Sequence, residues 1–110
     1  MLDWYVIQYL YPNAVERFKT VMFPNSGLIS LSILEYYDIK KLYRFFDTHG
    51  IYLTVEMLTK DVWLFTVSTD NGVTFAPCHE TKTKREDIEA EGFYECFRLL
   101  EKRLRLDTYI

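Results

Sequence analysis

The sequence predicts an α+β fold. A small, mainly antiparallel sheet of about three to four strands packs against helices, and a long amphipathic helix forms the C-terminal part. Three observations predict it. Residues Ile51–Met57 and Val62–Ser68 alternate with a period of two, the mark of half-buried strands. A strong turn signal, Asp70-Asn71-Gly72, follows them. From Thr83 to Arg105 the apolar period becomes 3.6, behind a capping-box pattern.

The elements follow in chain order. Trp4, Ile7, Leu10 and Tyr11 suit a helix that breaks near Pro12, whereas Trp4, Val6 and Leu10 suit a strand less well because Gln8 interrupts that face. Helix is the favoured reading. Asn13 to Phe23 reads as a second helix, with Asn13 as cap, Glu16 three residues later, and Val15, Phe18, Val21 and Met22 as its stripe. Leu28–Leu34 alternates Ile29, Leu31 and Ile33 against Ser30 and Ser32 and is expected as a strand. Asp38 caps a helix with the stripe Ile39, Leu42, Tyr43 and Phe46, and Gly50 suits its C′ position. Strands Ile51–Met57 and Val62–Ser68 are joined by Thr59-Lys60-Asp61, short enough for a hairpin. Val73-Thr74-Phe75 is a third strand, which Pro77 ends or confines to an edge. Strand order stays open; Leu28–Leu34 and Ile51–Met57 allow a parallel crossover through the intervening helix.

The last helix is the best specified. Thr83 and Glu86 form the capping box, and Ile88, Gly92, Phe93, Cys96, Phe97, Leu100 and Leu104 form one stripe. Glu86, Asp87, Glu89 and Glu91 crowd its start and Arg98, Lys102, Arg103 and Arg105 its end, so both ends complement the helix dipole. Gly92 costs such a helix about 1 kcal/mol against Ala. It therefore marks a close approach by another element, or a bend.

A chain of 110 residues is expected to be one domain. That length buries roughly two thirds of the unfolded surface, enough for a core without disulfides. The net charge of −3 argues against a dedicated nucleic-acid binder. Met1-Leu2-Asp3 lacks the basic start of a signal peptide, and no apolar run approaches the ~20 residues of a membrane span. The expectation is an intracellular protein with reduced Cys78 and Cys96 and no membrane association. Aromatics reach 17%, with nine Tyr and eight Phe, more Tyr than so small an interior absorbs.

The segments Tyr37-Asp38-Ile39-Lys40-Lys41-Leu42-Tyr43, Phe45-Phe46-Asp47, Gly50-Ile51-Tyr52-Leu53-Thr54-Val55-Glu56 and Glu91-Gly92-Phe93 through Leu100 carry a resemblance. Together they resemble small uncharacterised proteins encoded by tailed phages of gut Bacteroidetes, over most of the chain. No activity or site is assigned in that group, so the resemblance implies no catalytic residue. It implies a phage gene product acting in the cytoplasm of a bacterial host or in the virion.

Four groups of residues are candidates for chemistry. Cys78-His79-Glu80 has a nucleophile-like composition, but adjacent residues on an extended chain point opposite ways, so a loop is expected and no catalytic residue. Cys78, His79, His49 and an acid lack C-x-x-C or H-x-x-x-H spacing, Cys96 lies on an apolar stripe, and no metal or cofactor is expected. His49 ends a helix, where it favours the dipole. Arg98, Lys102 and Arg105 share one helix face and, with Lys82, Lys84 and Arg85, offer phosphate contacts; the acidic first half of the same helix opposes nucleic acid.

The tyrosines supply the functional expectation. Tyr94 falls off the stripe of its helix, and Tyr52 faces away from Ile51, Leu53 and Val55. These two are the expected partner-binding residues. Leu99 also falls off the stripe, so the last helix is covered on a further side, by the N-terminal helices or by self-association into a homo-oligomer. The expected function is a non-enzymatic protein-interaction module with a host or phage protein as partner. The alternative is a nucleic-acid-associated regulator using Arg98, Lys102 and Arg105.

Overall fold

The computed structural model describes residues 2–24, 34, 38–72, 74–75 and 84–108. The N-terminal segment is a helix, α1 (Trp4–Leu10). Asp3 caps it by accepting hydrogen bonds from Tyr5 N and Val6 N at 3.1 and 3.2 Å. Helix α2 spans Pro12–Met22 rather than starting after an Asn13 cap. Pro12 takes the first helical turn, where its missing N–H removes no bond. Tyr11 is the N-cap and gives no side-chain bond, while Asn13 turns its amide to Glu101.

Helix α3 (Ile39–Thr48) starts at Asp38, whose carboxylate accepts from Lys40 N at 2.9 Å. It ends as expected: His49 is the C-cap and Gly50 follows with φ +69°. Asp70 lies so close to Gly50 that a Cβ there would meet its carboxylate at 2.0 Å. Strands β1 (Ile51–Thr59) and β2 (Val62–Thr69) form an antiparallel hairpin through Lys60 and Asp61, with a register irregularity between Met57 and Thr59. Leu53 pairs with Val67 and Val55 with Phe65 on the core face, as the alternation predicts.

The expected count of three to four strands is too high for the described residues. Beyond the hairpin there is only β3 (Thr74–Phe75), two residues paired antiparallel with Val67 and Ser68. Over the described residues β3 is two residues long, too short to count as a third full strand. Most of the expected strand Leu28–Leu34 lies outside the described residues, but Leu34 is helical and buried. A short apolar run of that kind does not by itself separate a strand from a buried helical turn.

Helix α4 (Arg85–Thr108) lies across the sheet and against α2. Its stripe is observed as expected: Ile88, Phe93, Cys96, Phe97 and Leu100 are fully buried and Leu104 is half-buried. Thr83 of the expected capping box lies outside the described residues. Gly92 marks a close approach: a Cβ there would sit 2.4 Å from Leu53 Cδ1 on β1. Gly92→Leu is therefore expected to destabilise by about 1–3 kcal/mol through overpacking, even though Leu is a good helix former. Urea unfolding reads the loss, and the Leu53→Ala background should recover part of it. An unchanged midpoint in Gly92→Leu would disprove the contact.

The core is largely aromatic. Trp4 stacks on Phe18 at 5.4 Å, and Phe97 meets Trp4, Phe46 and Phe18 edge-on at 5.6, 4.9 and 6.4 Å. These rings come from all four described helices.

Candidate partner-binding surface

Helix α1 buries only Trp4 and Ile7. Its opposite face carries Tyr5, Val6, Tyr9 and Leu10, exposed by 62, 42, 85 and 46%. Tyr5 and Tyr9 form one i, i+4 row and Val6 and Leu10 the next, so the four side chains make one continuous strip. Solvent-facing helix positions are normally polar, so a strip of four large apolar or aromatic residues is a candidate interaction face. Leu10, expected in the buried stripe, lies instead at the end of this strip, because α1 stops there and the chain turns at Tyr11 into α2.

The strip runs into a groove of about 280 Å³ between the end of α1 and the second half of α4. Its apolar lining is Leu10 and Tyr11 at the end of α1 and Leu106 on α4. Arg98, Lys102 and Arg105 line the same groove from α4, so the three cations picked out by their spacing lie together there. They are not equally free. Arg98 Nε donates to both oxygens of Glu95 at 3.1 and 3.0 Å, and this bond raises the guanidinium pKa. Arg105 Nε donates to Glu101 at 2.9 Å. Lys102 has no acidic partner among the described residues.

Glu101 lies in the groove floor and is 3% exposed. Its carboxylate accepts from Ala14 N at 2.9 Å and Asn13 Nδ2 at 2.7 Å, besides Arg105. Burial pushes this carboxyl up, but the hydrogen bonds together outweigh it and hold the pKa below the usual value. Glu101 thus supplies from α4 the capping group that α2 lacks.

The two expected tyrosines have intramolecular partners. Tyr94 is half-buried against the core, and its hydroxyl accepts from Asp3 N at 2.9 Å. That bond holds the start of α1 on α4. Tyr52 is exposed on β1, but its hydroxyl donates to Asp70 at 2.5 Å, which raises its pKa and fixes the carboxylate beside Gly50. Of the other cations, Arg85 lies over the Trp63 ring at 5.8 Å and Lys82 is outside the described residues. Leu99 is half-buried against the core.

Reactive groups are occupied in the same way. Burial raises the Cys96 thiol well above its ordinary range, so it stays protonated. His49 Nδ1 donates to Phe45 O at 2.9 Å. Tyr43 donates to Glu89 at 2.5 Å, and burial together with that bond raises its pKa. Cys78-His79-Glu80 lies outside the described residues. No helix among the described residues is long and apolar enough to cross a membrane.

The strip on α1 was missed by sequence reasoning, although its signal was present. Once Trp4 and Ile7 define the buried stripe, Tyr5, Val6 and Tyr9 fall opposite it, where polar residues are the rule. Comparison with protein-family models, with curated proteins and with solved structures finds no match to the chain.

Proposed function

We propose that this chain is a small, non-enzymatic protein-interaction module, and that its partner surface is the exposed face of α1. The observation that carries this reading is the continuous strip Tyr5, Val6, Tyr9 and Leu10 on a helix whose other face is fixed in the core. Aromatic side chains on a rigid helix anchor partners well, because they present a large contact area at little conformational cost. The neighbouring cations Arg98, Lys102 and Arg105 form a polar rim and favour a partner with acidic residues. On the resemblance to tailed-phage proteins, that partner is a host protein or another phage protein, met in the bacterial cytoplasm or in the virion.

A second copy of the chain fits less well. A two-fold axis through the groove would bring two copies of the same cation cluster together, and like charges oppose association. Phosphate binding, the nucleic-acid alternative, would draw on the same three cations, two of which already hold carboxylates.

The test is affinity capture from nuclease-treated bacterial lysate with the full chain and with Tyr5→Glu/Tyr9→Glu. Both positions are exposed, so folding should change little, and circular dichroism checks it. One protein kept by the natural chain and lost by the variant supports the reading. Equal capture by both, or capture that needs intact nucleic acid, counts against it. A dimer of the purified chain that the variant dissolves would reassign the face to self-association.

A further inference from the structure

We infer that the groove between the end of α1 and the C-terminal half of α4 takes an acidic, amphipathic segment of a partner protein. The inference rests on the interaction-module reading and names the chemistry of what that module holds. Leu10 and Tyr11 at the end of α1 and Leu106 on α4 offer apolar surface for a partner's apolar side chain. Leu10 and Leu106 are themselves substantially exposed, so covering them removes apolar surface from water.

Charge decides the rest. Arg98, Lys102 and Arg105 line the groove; Arg98 is paired with Glu95, and Arg105 with Glu101, whose oxygens are also engaged by Ala14 and Asn13. Among the described residues the groove therefore keeps an excess of one positive charge, at Lys102, which has no acidic partner there. Carboxylates on the partner complete this arrangement. The apolar lining favours a peptide over a nucleic-acid strand: single strands are commonly held by stacking their bases on aromatic rings, and among the described residues Tyr11 is the one aromatic side chain lining the groove. The volume of about 280 Å³ suits one or two side chains inserted from a segment lying along the groove.

The experiment uses the full chain, labelled for nuclear magnetic resonance, and three probes. The first is a synthetic helical peptide with Leu on one face and Glu on the other. The second is the same peptide with Lys in place of every Glu. The third is a single-stranded oligothymidine. The Glu peptide is expected to shift the signals of Leu10, Tyr11, Lys102 and Leu106, more weakly as salt rises. Lys102→Glu and Leu106→Glu, both at exposed positions, should each weaken it about tenfold or more.

Binding of the Lys peptide with equal affinity, shifts confined to other surfaces, no binding at millimolar peptide, or binding of the oligonucleotide alone would each overturn the inference. The two readings fail separately. If Tyr5→Glu/Tyr9→Glu abolishes capture from lysate while Lys102→Glu and Leu106→Glu leave it intact, the module stands and the groove does not serve it.

Discussion

Phe97→Ala is expected to destabilise the protein by about 3–5 kcal/mol, a large part of the ~5–15 kcal/mol that holds a typical domain folded. Phe97 is fully buried on α4 and touches Trp4 of α1, Phe18 of α2 and Phe46 of α3. Truncation leaves a cavity lined by three rings that are themselves packed against others, so the site collapses poorly. Part of the loss is the apolar surface of the ring; part is the edge-on ring geometry, worth about 0.5–1.5 kcal/mol per pair. Phe97→Leu keeps most of the volume and should lose less than half as much. Urea unfolding followed by tryptophan fluorescence reads both, because Trp4 is one of the neighbours. A loss below about 1 kcal/mol in Phe97→Ala would mean that the four helices do not share this core.

The same residue shows what was legible in the chain. Phe97 falls on the 3.6-residue stripe of α4, so its burial follows from local pattern alone, as do the Asp38 cap, the Gly50 stop and the β1–β2 hairpin. Gly92 was legible as an anomaly, and the close approach of Leu53 explains it. What pattern does not carry is contact between distant parts of the chain. Tyr94 looked free because it lies off its stripe; Asp3 N, 91 positions earlier, is its partner. Tyr52 looked free because it faces away from the core; Asp70, brought beside it by the hairpin, is its partner. The row Arg98, Lys102 and Arg105 was visible in the spacing, but the apolar wall that makes it a groove comes from Leu10 and Tyr11 at the other end of the chain. The start of α2 was misplaced for a related reason. Its capping group is not Asn13 but a carboxylate from α4.

That carboxylate yields the second large effect. Glu101→Gln is expected to destabilise the protein by about 1.5–3 kcal/mol at neutral pH, the range for losing charged hydrogen bonds in a buried place. Its amide oxygen can still accept from Ala14 N, but its NH₂ group faces Asn13 Nδ2 and Arg105 Nε, both donors. Donor then meets donor, and the partial positive charge at the start of α2 loses its anion. The pH dependence follows from the direction of the pKa. The folded carboxyl sits below its ordinary value of 4.5, so the unfolded chain takes up the proton first. The stabilisation is complete above that ordinary value and is lost as pH falls through the depressed folded one. The natural chain should therefore lose stability on acidification below pH 4.5, and Glu101→Gln should show a flatter acid limb. Urea midpoints measured from neutral to acid pH give both quantities. Identical midpoints and identical slopes in the two proteins would remove Glu101 from this role. A confirmed loss links fold to surface, because the residue that ties α4 to the start of α2 also anchors Arg105 at the edge of the groove. Raising the pH above the carboxyl range then leaves that edge set, while acid releases Arg105 and the α2 terminus together.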